Sequence, residues 1–279
     1  MTKISLMQGR LLPPFEGRFQ SFPAIDWEKE FFLGHKIGLY SIEWIYEYPH
    51  WVENPLSSDE GIGQLKKLIQ ETNVGVKSIC ADYYMTNPLI KNGQVQKENV
   101  EHLIWLLSQA RKLNIAYIVL PFVDNSSLKA PADQETLIDL LKKILTLTSS
   151  LAIEIHLETD LSPLEFRKVF EDVNHPLLKM NYDIGNSASL GFDVDQEMLL
   201  LGNYLGSVHV KDRVLGGATV SLGTGNADLK KCFQWFDQLA FNRWYVLQVA
   251  RGLEGQESAH IESLIATTKD LINGTWIKP

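Results

Sequence analysis

The sequence predicts a single α/β domain of the (β/α)8, or TIM-barrel, class, and three observations carry that expectation. Short apolar runs of strand length alternate with segments of helical period, which favours parallel strands joined by crossover helices. Eight such beats fill 279 residues, close to the length that a closed eight-stranded barrel uses as one unit. No linker interrupts them, so residues 1–279 read as one domain.

The first strand is Ile4 to Gln8, and Gly9-Arg10-Leu11-Leu12-Pro13-Pro14 breaks it off. Trp27 to Lys36 carries Trp27, Phe31 and Phe32 at helical spacing and stops before Gly38. Ser41 to Ile45 is the second strand, where Glu43 faces opposite to Ile42 and Trp44. Asp59 to Glu71 is a helix with Ile62, Leu65, Leu68 and Ile69 on one face, and Val74 to Ala81 is the third strand, ending at Asp82. Glu98 to Leu113 is the next helix, and Ala116 to Val123 the fourth strand, ending at Asp124. Leu137, Leu140, Leu141 and Ile144 mark a helix before the alternating fifth strand, Ala152 to Glu158. Ser162-Pro163 opens another with a cap and a first-turn proline. The sixth strand is Leu178 to Ile184, followed by a short helix near Asp195 to Leu201. The seventh strand ends in Ser207-Val208-His209-Val210-Lys211-Asp212-Arg213, and the eighth is Trp244 to Val249, flanked by helices Asp228 to Leu239 and Glu257 to Leu271.

Composition narrows the function classes. A hydrophobic fraction of 45% with 22% charged residues describes a globular chain able to fill a large core. A formal net charge of -8 opposes nonspecific attraction to a polyanion, so nucleic acid is not an expected partner. Cys80 and Cys232 form no CxxC pair, which suggests neither a thiolate zinc site nor a disulfide framework. Gln8 and Arg10 interrupt the N-terminal apolar residues before a signal-peptide core is complete, and no run of about 18 apolar residues appears. A cytoplasmic protein without a membrane partner is the expectation. No stretch identifies a subunit interface, and homo-oligomerisation stays open.

In such a barrel the site lies at the C-terminal ends of the strands, so those ends can be compared. Glu158 closes the fifth, Asp183 the sixth, His209 the seventh and Gln248 the eighth. Two carboxylates, an imidazole and an amide oxygen on adjacent strands can converge on one divalent cation. Hard oxygen donors with one imidazole suit manganese, magnesium or cobalt, with zinc a further candidate. The competing reading is a set of buried hydrogen-bonding groups without a metal. Arg10, Lys211, Arg213 and Arg251 all follow strand ends, where barrels often bind phosphate, and the Gly223-Thr224-Gly225-Asn226 turn offers backbone amides before a helix. A plain turn, and pairing of Arg213 with Asp212 and of Arg251 with Glu254, would leave a neutral sugar instead. Phe15, Phe19, Phe22, Trp51, Tyr83 and Tyr84 either wall off a polar substrate or pack helices onto the barrel.

Across essentially its whole length the chain resembles the xylose-isomerase-like barrel superfamily, in its sugar and sugar-phosphate isomerase/epimerase branch. The resemblance is carried, in order, by Met7-Gln8-Gly9-Arg10-Leu11, Ile42-Glu43-Trp44, Leu157-Glu158-Thr159-Asp160, Asp183-Ile184-Gly185-Asn186, His209-Val210-Lys211-Asp212-Arg213 and Leu222-Gly223-Thr224-Gly225. It implies a divalent metal held by Glu158, Asp183, His209 and the residue at 248, polarising substrate oxygens while ligand carboxylates move protons at carbon. Two positions depart from the pattern: Gln248 stands where a second glutamate is usual, and Asn186 where many relatives have a substrate-binding histidine. An amide can coordinate through oxygen but cannot accept and return a proton. With Glu158 the remaining base, aldose-ketose isomerisation is expected over C3 epimerisation, unless His156, Asp212 or Glu43 supplies a second base. Arg10, Glu43, His156, Asn186, Asp212, Arg213 and Arg251 are the expected substrate-binding residues. The alternatives are a polyol or keto-inositol dehydratase, in which the same base expels water, and a noncatalytic sugar-binding barrel.

Overall fold

The computed structural model, which describes residues 3–48 and 50–278, closes eight parallel strands into a barrel in which each strand pairs with its neighbours in sequence. They are β1 (Ile4–Met7), β2 (Ser41–Ile45), β3 (Gly75–Cys80), β4 (Tyr117–Phe122), β5 (Glu154–Thr159), β6 (Leu178–Asp183), β7 (Leu205–Val210) and β8 (Tyr245–Leu247). β1 closes the ring by pairing Ile4 with Tyr245 and Ser5 with Ser41. Outside lie α1 (Lys29–Lys36), α2 (Asp59–Thr72), α3 (Lys97–Lys112), α4 (Pro131–Thr148), α5 (Pro163–Val173), α6 (Ile184–Leu190), α7 (Val194–Leu201), α8 (Leu229–Gln238) and α9 (Glu257–Ile272). Among the described residues no helix is long and apolar enough to cross a membrane.

Local chemistry sets the helix limits. Ser58 caps α2 by accepting from the Gly61 amide, and Asn73 ends it in the left-handed region at φ 57°. Ser162 and Glu165 form a reciprocal capping box at the start of α5, with Pro163 in its first turn, as the Ser-Pro signal predicts. The fifth strand begins two residues later than the alternation suggests, because Ala152, at φ 53°, ends the turn that precedes it. The helix α6 has no counterpart in the apolar periodicity. Its Gly-Asn-Ser run is a poor helix former, and its start is stabilised by the Asp183 carboxylate accepting from the Asn186 amide at 2.8 Å.

The apolar core lies between the outer strand faces and the helices, where Trp44 on β2 packs against Phe22, Trp27 and Phe31. The barrel interior is polar. Ser5, Ser41, Glu43, Ser78, His156, Asn181, Ser207 and His209 are all buried, and hydrogen bonds offset the cost of burying most of these groups, with Ser78 Oγ and Glu43 Oε2 left without a partner. Ser5 and Ser41 hydroxyls meet at 2.7 Å, Ser207 Oγ donates to Asn181 Oδ1 at 2.6 Å, and His156 Nδ1 lies 2.7 Å from Ser207 Oγ. His156 stacks on Tyr117 with ring centroids 4.0 Å apart, and its Nε2 reaches Glu154, which is also paired with Arg243. A continuous polar column thus rises through the barrel to the strand ends.

Candidate active site at the strand C-termini

Successive inward positions on β5 and β7 carry the column upward: Glu154, His156 and Glu158 on one, Ser207 and His209 on the other, with Lys211 following just past its end. Asn181 on β6 donates to Glu158 Oε2 at 2.8 Å, and Asn186 at the start of α6 donates to Glu158 Oε1 at 2.6 Å. Both oxygens of the Glu158 carboxylate are therefore held by side-chain amides. His209 is enclosed between Glu43, 2.6 Å from Nε2, and Glu158, 3.3 Å from Nδ1, with Asp183 at 3.8 Å. Burial alone would lower its pKa, but Glu43, Asp183 and Glu158 together raise it well above the ordinary imidazole value.

Lys211 lies just beyond the described end of β7 and turns its ammonium into the site. Nζ donates to Asp183 Oδ2 at 3.2 Å, Asn186 Oδ1 at 3.2 Å and Gln248 Oε1 at 3.0 Å. Burial pushes the Asp183 carboxyl up. Lys211, His209 and the Asn186 amide outweigh that and hold it below the usual carboxylate range. Gln248 donates onward to Gln20 Oε1 at 3.1 Å, and Gln20 donates to Asp82 Oδ2 at 2.8 Å. Asp82, at the mouth of β3, is raised to about 6 by burial, opposed by hydrogen bonds from Gln20 and Cys80.

These groups open onto a cavity of about 410 Å³, lined among others by Glu158, Lys211, Gln248, Gln20, Asp82 and Arg213. The volume suits a small polar ligand. Phe19 is the one aromatic from the sequence set in its lining, whereas Phe22 belongs to the core around Trp44. Tyr83, Tyr84 and Trp51 gather round His102, which stacks on Tyr83 at 4.3 Å between ring centroids.

The remaining sequence-derived positions are paired within the protein, and of them Arg213 alone also lines the cavity. Arg10 is buried and donates to the Val249 and Phe19 carbonyls and to Gln20 Oε1. Arg251 donates to the Phe19, Gly9 and Leu12 carbonyls. Both therefore fasten the loop after β1, which carries Phe19 and Gln20 into the cavity. Asp212 points away from the cavity and accepts from the Gly223, Gly225 and Ala227 amides at 2.9, 2.9 and 3.0 Å. The amides of Gly223 and Gly225 are thereby used within the protein. Arg213 donates to the Gly217 carbonyl and to Asn186 Oδ1. Glu43 and His156 are enclosed in the barrel interior, below the cavity.

A family model described as the xylose isomerase-like TIM barrel matches residues 32–269. The chain belongs to this family. Solved structures share the fold over nearly the whole chain at low identity. A zinc-bound IOLI protein is 15% identical, with a TM-score of 0.76 and 99% of both chains covered. An L-ribulose 3-epimerase is 16% identical, with a TM-score of 0.75, covering 99% of this chain and 96% of its own. A D-allulose 3-epimerase from Methylomonas sp. is 16% identical, with a TM-score of 0.71, covering 97% and 98%. No curated protein sequence matches the chain.

The xylose isomerase-like fold raises the question of a metal ion. Ligand atoms of Glu158, Asp183 and His209 lie within 4.8 Å of one another, and this group could hold one. The four-donor set that includes Gln248 does not fit as the side chains stand. Gln248 Oε1 and Asp183 Oδ2 both accept from the Lys211 ammonium, so an ion bound to those two oxygens would meet a positive charge already between them.

Three residues that shape this site are absent from the sequence-derived set. Asp82 carried a signal, because it ends a strand as Glu158 and Asp183 do. Asn181 sits two positions before Asp183 on the same inward face, again a readable signal. Gln20 lies in an irregular loop, and no pattern marks it.

Proposed function

We propose that the chain is an isomerase or epimerase of a small sugar, acting through an enediolate with Glu158 as the base. The observation that supports this reading best is a carboxylate, gripped on both oxygens by Asn181 and Asn186, that faces a polar cavity beside a buried ammonium. Neighbours with the same fold bear the names of ketose 3-epimerases, and that likeness favours a polyhydroxy carbonyl substrate.

For aldose-ketose isomerisation the steps follow from the side chains. Glu158 takes the proton from the carbon beside the carbonyl, and the C–H electron pair forms the carbon-carbon double bond. The carbonyl oxygen becomes the enediolate oxyanion. Glu158 then returns its proton to the former carbonyl carbon. The hydroxyl proton on the neighbouring carbon passes to the first oxygen, leaving a new carbonyl, so atoms and charge balance. One base on one face suffices.

A second reading has its own observation. Asp82 faces the same cavity and holds its proton up to about pH 6, so it is placed to deliver or receive a proton that Gln248 cannot handle. Glu158 with Asp82 would permit epimerisation. A neutral sugar is favoured over a sugar phosphate. Arg10 and Arg251 are occupied by backbone carbonyls, the Arg213 guanidinium by the Gly217 carbonyl and Asn186 Oδ1, the glycine-turn amides by Asp212, and Lys129 pairs with Asp160 at 3.2 Å.

The experiment is exchange of carbon-bound hydrogen in D2O, followed by NMR, over a panel of neutral ketoses, aldoses and their phosphates. Site-dependent exchange lost in Glu158→Gln supports the reading, and product stereochemistry separates isomerisation from epimerisation. No exchange with any member, or loss of water from the substrate instead, would count against it.

A further inference from the structure

We propose that the Lys211 ammonium is the resident cation of this site, standing in place of a divalent metal and facing the substrate oxygen that becomes negatively charged. The proposal rests on the enediolate reading for its chemistry, but the placement of the cation stands separately on geometry.

First, the ammonium has the contacts a cation there would need. Its three donors meet one carboxylate and two amide oxygens, Asp183 Oδ2, Asn186 Oδ1 and Gln248 Oε1, at 3.0 to 3.2 Å. Second, the donor set carries less negative charge than the one the resemblance implies for a divalent ion: the ammonium meets a single carboxylate, Asp183, and position 248 is an uncharged amide. Third, the approach of Lys211 is built into the backbone. A Cβ on Gly185 would come within 2.7 Å of Lys211 Cγ, 3.1 Å of its Cβ and 3.2 Å of Arg213 Cγ, so glycine here leaves room for the lysine stem, and beside it that of Arg213, to cross the first turn of α6. Gly185 is helical and has no positive φ to explain it.

One of the three acceptors can be exchanged for substrate. Asn186 Oδ1 also accepts from Arg213 Nη1 at 2.8 Å, so it stays paired if a substrate oxygen replaces it on Nζ. Asp183 and Gln248 keep the ammonium in position meanwhile. A donor fixed before the reaction in a water-poor site is the arrangement that stabilises a developing oxyanion.

The test joins metal binding with exchange, using the full chain. Purified wild-type protein, Lys211→Met and the double variant Lys211→Met, Gln248→Glu are analysed for elemental metal and titrated with MnCl2 by calorimetry and electron paramagnetic resonance. The expected result is no stoichiometric ion in the wild type, and Mn2+ binding at least about 100-fold tighter in the double variant, which removes the competing charge and adds a carboxylate. In the D2O assay, wild-type exchange should survive EDTA. It should fall about 10²- to 10³-fold in Lys211→Met and recover in part in Lys211→Arg, with circular dichroism confirming the fold of each.

Stoichiometric tight Mn2+ in the wild type, equal to that of the double variant, would overturn the proposal. So would exchange abolished by EDTA and restored by Mn2+. If no sugar exchanges at all, the isomerase reading fails, and the manganese titrations still decide which cation the site holds.

Discussion

Glu30 offers a test of how the site's wall is held. Its buried carboxylate accepts from the Gly9 amide at 2.8 and 2.9 Å and from the Leu11 amide at 3.3 Å, clamping the loop that brings Phe19 and Gln20 to the cavity. Burial raises its pKa from 4.5 to about 7, against the lowering effects of those amides, Arg10 and Arg251. The folded state thus holds the proton more tightly than the unfolded chain. The contribution is full below about pH 4.5 and is lost as pH rises through about 7, and the shift corresponds to about 3 kcal/mol. Glu30→Gln removes the titration and forfeits part of the amide pairing, at a cost of about 1 kcal/mol at every pH. The wild type should therefore be the more stable protein at pH 4.5, and the variant by about 2 kcal/mol at pH 8.5. Urea unfolding of both proteins across this range measures the difference. A difference that stays flat, or that moves in favour of the wild type as pH rises, would refute the claim that burial outweighs the amides and the two arginines.

Three further outcomes are expected. Asp82 acts in its protonated form under the two-group reading, so wild-type exchange should fall as pH rises through about 6, while Asp82→Asn should be slow and lack that limb in a pH-rate profile. Asp212→Ala strips the acceptor from three amides and should cost roughly 3 kcal/mol in urea unfolding; an effect below about 0.5 kcal/mol would mean that the glycine turn folds without it. Gly185→Ala forces Lys211 off its path, and should lower exchange about as much as Lys211→Met, roughly 10²- to 10³-fold, with protease resistance near that of the wild type.

The barrel was legible because its signals are repetitive: each apolar run is bounded by a breaker, a cap or a strand-end polar residue, and eight repeats leave few other topologies. Glu43 was legible as an anomaly, a carboxylate facing inward on a central strand. Only the fold supplies the reason, which is His209, more than 160 residues away in sequence and 2.6 Å away in space. In the sequence Lys211 is one of several basic residues that follow strand ends. Strand alternation gave its facing but not its reach, since a four-carbon stem can turn to solvent or inward. What turns it inward is α6, and that helix leaves no periodic trace in a Gly-Asn-Ser run. Arg10 and Arg251 illustrate the same limit from the other side. A strand-end arginine looks identical in sequence whether it meets a phosphate or a set of loop carbonyls, because those carbonyls come from irregular backbone, part of it distant in sequence, whose course no local periodicity marks.

The order of these contacts favours an amide at 248 in a site that also carries Glu158, Asp183 and His209. A glutamate at 248 beside Lys211 would form an ion pair and draw the ammonium away from Asp183 and Asn186. The amide holds it through one neutral hydrogen bond and, through its own Nε2, ties the same residue to Gln20 and thence to Asp82. A single uncharged side chain thereby connects the ammonium on one side of the cavity to the raised carboxyl on the other. Gln248 is thus suited to a site whose positive charge is covalently part of the chain, and Gln248→Glu alone should weaken exchange by perturbing Lys211 rather than restore a second base.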